Sequence, residues 1–214
     1  MDTQKTIALI LGLVIISNVQ AQTIMEDRTG FVNSQGNIAA GYLFVQKQPA
    51  AYIIGESEIF VKNQIAITGS AWFFVPVSRK PTGLKANHTF TWGFNYHFLK
   101  KGRFDPYVGL TPGLSIVRVA YNTADGEVKK APYGVAPLFS AAVGFNYYVG
   151  SIFHFFLKAQ GVSGEFSGGA PNRTPLHEIK LTAGLGWNAR FWKPGALKRE
   201  LEQHGLNTTD YLIE

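Results

Sequence analysis

The chain has 214 residues and a formal charge of +6, with 14% aromatic residues, 16% charged residues, 23 glycines and no cysteine. That length suits one all-β domain and hardly two, and the missing cysteine excludes disulfides, thiol catalysis, thiolate metal sites and an acylated N-terminal cysteine. The basic residues form short clusters such as Ser78-Arg79-Lys80 and Lys129-Lys130 rather than a stripe, which speaks against nucleic acid as a partner.

In chain order, Lys5 precedes an apolar run at 7–16, and Val19-Gln20-Ala21 supplies small residues before Gln22. Residues 1–21 therefore read as an export signal cleaved at the Ala21–Gln22 junction, since the run is too short for a membrane helix of ~20 residues. Residues 22–36 read as a polar periplasmic leader. Alternation and turn residues then mark eight strands, near 37–46, 51–60, 64–75, 87–99, 106–120, 135–148, 152–161 and 177–191. The turns at 61–63, 100–104 and 149–151 are short. The loops at 76–86, 121–134 and 162–176 are longer and carry Gly, Pro or Asn, and the loop at 47–50 is a short exception. Residues 192–214 read as a periplasmic C-terminal tail in which Leu197 and Leu201 lie one helical turn apart.

Two faces can be separated in most strands, because successive side chains of an extended chain point to opposite sides. In the fourth, Phe90, Trp92, Phe94, Tyr96 and Phe98 share one face, with Thr91, Gly93, Asn95 and His97 on the other. In the eighth, Ile179, Leu181, Ala183, Leu185, Trp187, Ala189 and Phe191 oppose Glu178, Lys180, Thr182, Gly184, Gly186, Asn188 and Arg190. A soluble sheet would carry more charge and fewer glycines on its wet face, whereas small and polar residues suit the interior of a narrow barrel. The rings then face lipid. The first strand is ambiguous, because Tyr42, Leu43, Phe44 and Val45 are all apolar.

An even strand number, short turns alternating with longer loops, and no membrane-length helix after the signal predict an eight-stranded antiparallel transmembrane up-and-down β-barrel over residues 37–191. The alternative is a secreted, soluble, lipocalin-like barrel with the rings inside. An interior eight strands wide is too narrow for that many rings.

The segment Phe60-Val61-Lys62-Asn63-Gln64-Ile65-Ala66-Ile67 resembles the turn-and-strand unit of small bacterial outer-membrane β-barrel proteins, porin-like barrel domains among them. Gly186-Trp187-Asn188-Ala189-Arg190-Phe191 is similar to their terminal strand signal, which ends in an aromatic residue read by the barrel-assembly machinery. The resemblance implies a bacterial outer-membrane location, Phe191 as assembly signal, and outer-membrane lipids and lipopolysaccharide as surroundings. One departure is the tail that follows Phe191, where the family signal usually closes the chain.

Parity sends Glu56, Glu58 and Glu178 into the lumen together with Lys158, Lys180 and Arg190, a balanced set expected to pair into a plug. The lipid-facing set is Phe90, Trp92, Phe94, Tyr96, Phe98 and Trp187. Thr89, on the inward face near the loop end, is expected where the lumen opens to water. His97 and His154 also face inward, but two histidines without a third ligand read as lumen hydrogen-bonding groups rather than a metal site. No serine–histidine pair is recognisable, so no catalytic residue, cofactor or metal is assigned. The expectation is a monomeric, non-enzymatic outer-membrane protein with a structural, adhesive or loop-mediated binding role. A lipid-modifying enzyme or small-molecule conduit in the same membrane is the alternative.

Overall fold

The computed structural model describes residues 28–77, 80–100, 102–168 and 173–191. The proposed signal at 1–21 and the tail at 192–214 lie outside the described residues. Eight long strands, β1 (Phe31–Leu43), β2 (Gln48–Lys62), β3 (Ile65–Val75), β4 (Gly83–His97), β5 (Phe104–Asn122), β7 (Gly134–Tyr148), β8 (Phe153–Phe166) and β10 (Glu178–Arg190), pair antiparallel with their neighbours. β10 pairs with both β8 and β1, which closes the sheet into a barrel with no free edge. Two short strands, β6 (Val128–Lys130) on β5 and β9 (Thr174–Pro175) on β8, extend the wall at the loop end.

The expected strand order and hairpin rhythm are present, with differences at the margins. β1 starts at Phe31, so the expected leader boundary at 36/37 falls inside a strand. Asn33, Ser34 and Gln35 show no apolar alternation, yet they lie in register between Glu58, Ser57 and Glu56 on one side and Asn188, Trp187 and Gly186 on the other. Pairing on both edges, rather than side-chain pattern, makes them a strand. The ambiguous end of β1 resolves simply: Leu43 is buried inside, Tyr42 is outside, and Phe44 and Val45 belong to the turn before β2. Lys47 in that turn has φ 45°.

Burial alternates along most of each long strand, least at the start of β1, and the rings of the fourth and eighth expected strands are on the outside. Trp92 and Phe94 are 54% and 61% exposed, and Tyr96, Phe98 and Trp187 are exposed as well, while Phe90 is half-buried on the same face. Thr91, Asn95 and His97, between them, are buried. The soluble reading with rings inward is therefore overturned.

The inside is less uniformly small and polar than parity suggests. Tyr52, Trp72, Phe74, Leu43, Leu84, Val117, Val119, Phe166 and Leu176 form a buried apolar cluster in the loop-end half of the lumen. A second cluster of Phe31, Phe60, Ala66 and Tyr148 sits at the turn end. Glycines make the room for them. A Cβ on Gly41 would lie 2.3 Å from Glu178 Oε1 and 2.8 Å from the Tyr52 ring, and one on Gly186 would lie 2.4 Å from the His154 ring. The small face expected of the eighth strand is thus the counterpart of large side chains on its neighbours.

Candidate functional site

Most of the chemistry-bearing side chains converge inside the barrel, in two networks with an ion pair between them. Near the turn end, the segment before β1 folds under the mouth: the Arg28 backbone N–H donates to Asn63 Oδ1 at 2.8 Å, and Gly30 N–H donates to the Phe60 carbonyl at 2.9 Å. This carries the fully buried Arg28 guanidinium to Asp105 Oδ1 at 2.8 Å, with its centre 5.2 Å from the Phe60 ring and 5.8 Å from the Tyr148 ring. His97 bridges two carboxylates, with Nδ1 2.8 Å from Asp105 Oδ2 and Nε2 3.3 Å from Glu58 Oε2. Glu58 also accepts from the amides of Asn33 at 2.7 Å, Asn95 at 2.8 Å and Asn146 at 3.2 Å. The Tyr148 hydroxyl accepts from Asn33 and donates to Asp105.

Farther along the axis, Lys158 Nζ lies 2.6 Å from Glu56 Oε2, both groups nearly fully buried. In the loop-end half, the Tyr52 hydroxyl donates to Glu178 Oε1 at 2.6 Å and Asn87 Nδ2 reaches Glu178 Oε2 at 3.4 Å. Lys180 Nζ lies 3.8 Å from Glu178 and donates to Thr89 Oγ1 at 3.2 Å. Its ammonium stands 4.4 Å from the Tyr52 ring and 4.8 Å from the Trp72 ring, close enough for the ring quadrupoles to offset part of its desolvation.

Of the charges placed in the lumen by parity, Glu56, Glu58, Lys158, Glu178 and Lys180 are all buried there, but the pairing is not three against three. Arg190 is half-buried at the end of β10, opposite Phe31, and the groups gathered around Glu58 and Asp105 are the His97 imidazole and the Arg28 guanidinium. Arg28 escaped notice because it precedes any alternating segment. Asp105 did so because it is the second residue of its strand, next to Pro106, where a turn is the natural reading. Thr89, expected where the lumen opens to water, is instead 1% exposed and sits against Lys180.

His97 and His154 are not joined; His154 Nδ1 instead lies 2.6 Å from Asn188 Oδ1. On the outer surface, Ser163 Oγ lies 3.2 Å from His177 Nδ1, both exposed. The two are separated by a loop in sequence, and only the fold brings them together.

These contacts leave little free space. The cavity between Asn33, Gln35, Glu56, Glu58, Tyr107 and Asn146 measures about 10 Å³, room for about one water. Each buried charge stands beside an opposite charge or hydrogen-bonding partner, as the cost of burying it requires. Together these side chains form a packed polar core around that cavity.

No family model matches the chain, and neither does any curated protein. Among solved structures, it is similar to Neisserial surface protein A (TM-score 0.53, 13% identity), with 75% of this chain and 96% of that one covered. It is also similar to the outer membrane protein OprG from Pseudomonas aeruginosa (TM-score 0.50, 12% identity, 78% and 99% covered). At these identities the likeness is one of fold: the chain has the closed, eight-stranded antiparallel architecture of small outer-membrane β-barrels.

Proposed function

We propose that the chain is an integral protein of a bacterial outer membrane, exported through the periplasm, with a closed lumen and a structural, adhesive or binding role carried by its loop end. The observation that carries this reading is the inversion of the usual soluble arrangement. Rings of Trp92, Phe94, Tyr96, Phe98 and Trp187 stand exposed on the outer wall, while carboxylates and ammonium groups are buried within. Such an exterior is stable only against lipid. The interior supports a plug because the Glu56–Lys158 pair spans the lumen from β2 to β8 and the cavity beside Glu56 and Glu58 has space for about one water.

On this reading the protein acts as a monomer surrounded by outer-membrane lipids and lipopolysaccharide. Phe191, 72% exposed after the last strand, serves as the signal for the barrel-assembly machinery. The hairpin tip around Asp125 and Gly126, beyond β6, then projects from the cell surface. An epitope inserted there should be detected on intact cells, and the purified protein should give no steady conductance in a planar bilayer. Detection only after lysis would refute the proposed orientation, and stable conductance would favour a conduit.

A second reading has one observation behind it. The Ser163–His177 contact is the first element of an activated nucleophile, placed on the outer surface at the loop end, where an enzyme acting on lipid would need it. Labelling of Ser163 by a fluorophosphonate would favour this reading; unlabelled Ser163 would leave the contact as a surface hydrogen bond.

A further inference from the structure

Near the loop end, the outer wall carries a compact group of cationic side chains between β4, β5 and β6. Arg118 lies on the outward face of β5, two residues beyond the exposed Ile116, with Leu114 next below. Its Nε–H donates to the Ala131 carbonyl at 3.3 Å, and its guanidinium centre is 4.8 Å from the exposed Tyr133 ring. Lys85 occupies the bulge between Leu84 and Ala86, which are opposite Val119 and Arg118, and its ammonium donates to the Lys80 carbonyl. Lys130, exposed, pairs with Ala120 and so lies on the same face as Arg118, with Lys129 beside it. The acids of the adjoining hairpin, Asp125 and Glu127, are at its tip, beyond Val128.

The height of this group is informative. The outward residues of β5 from Phe104 to Ile116 are apolar or proline apart from the strand's alternation. At about 3.4 Å per residue and a tilt of about 40°, that stretch rises roughly 30 Å, close to the ~25 Å apolar band of a transmembrane barrel. Arg118 is the first outward residue above it. A guanidinium pre-set by a ring and a carbonyl, with Lys85 and Lys130 on the adjoining strands and level with lipid headgroups, fits an anion presenting several oxygens.

We propose that Arg118, Lys85 and Lys130 form a site for the phosphate of a phosphorylated lipid headgroup in the surrounding outer leaflet. This rests on the membrane reading given above. It adds a specific contact on the outer wall, distinct from any partner of the loop tips, and a fixed lipid neighbour for the β4–β5–β6 side of the barrel.

Native mass spectrometry of the detergent-purified full chain, titrated with diphosphoryl lipid A or with its dephosphorylated form, tests it. The phosphorylated lipid should bind about tenfold more tightly. An Arg118→Ala/Lys130→Ala variant should lose that preference, Arg118→Lys should keep part of it, and Lys62→Ala/Lys100→Ala, at the turn end, should keep all of it. Circular dichroism checks that each variant is folded; should the double variant not fold, abolition of the wild-type preference by 0.5 M sodium chloride is the required result. Equal affinity for the two lipids, or a preference that survives in the folded double variant or in high salt, would overturn the proposal. So would displacement of the lipid by millimolar inorganic phosphate, which would make the site a reader of free anion. Tryptophan quenching in brominated phosphatidylcholine separates the two levels. Quenched protein without phosphate preference loses only this site, whereas unquenched protein loses the membrane reading and the site together.

Discussion

Neutralising Glu56 should destabilise the barrel far more than neutralising Glu56 and Lys158 together. Their charged atoms are 2.6 Å apart and nearly fully buried. At an effective dielectric of 20, two unit charges at that distance attract by about 6 kcal/mol, against a desolvation cost of several kcal/mol per ion. The pair is therefore close to neutral overall, while either charge alone is expensive. Glu56→Gln leaves the Lys158 ammonium with the Trp72 ring, 5.8 Å away, as partial compensation, and should cost about 3–5 kcal/mol. Lys158→Met should cost a similar amount, and Glu56→Gln/Lys158→Met should fall within about 1 kcal/mol of wild type. Reversible urea unfolding in phosphatidylcholine vesicles, followed by tryptophan fluorescence and heat-modifiable gel mobility, completes the double-mutant cycle. Single variants that each lose under 1 kcal/mol, with a double variant equal to their sum, would refute a plug held by paired charges.

Other outcomes follow from the same geometry. Phe94→Arg places a charge on the outward face near mid-strand and should cost about 2–4 kcal/mol in the same unfolding assay; a loss below 1 kcal/mol would mean that Phe94 does not face acyl chains. Gly41→Ala forces a methyl against Glu178 and Tyr52, and should cost about 1–3 kcal/mol, whereas Gly55→Ala, with nothing within 4 Å of the added methyl, should be nearly silent. N-terminal sequencing of the exported protein should read from Gln22, and a sequence beginning at Met1 would refute cleavage after Ala21.

Much of the barrel is legible in the sequence because its outer wall is simple. Lipid favours apolar side chains outward, so Phe90 through Phe98 alternate without exception; the outward Ser34, Gly55, Ser57 and Gly69 break that pattern on β1, β2 and β3. The interior answers to neighbours across the lumen, and those are invisible to parity. Trp72-Phe73-Phe74-Val75 is apolar on both faces, so the inward Trp72 and Phe74 look no different from the outward Phe73. Arg28 meets Asp105 only because the chain before β1 turns under the mouth. The charge set was readable from alternation at Glu56, Glu58, Lys158, Glu178 and Lys180. Its pairing was not, since partner choice depends on which strands face each other once the barrel closes.

With the rings facing lipid and the charges buried within, depth-dependent quenching of single tryptophans separates the two sides of the wall. Two variants, one retaining only Trp92 and the other only Trp72, are to be folded into vesicles of phosphatidylcholine brominated along the acyl chain. Trp92, exposed on the outer wall, should be strongly quenched, and Trp72, fully buried in the lumen, should be nearly untouched. Strong quenching of Trp72 with little effect on Trp92 would contradict the account.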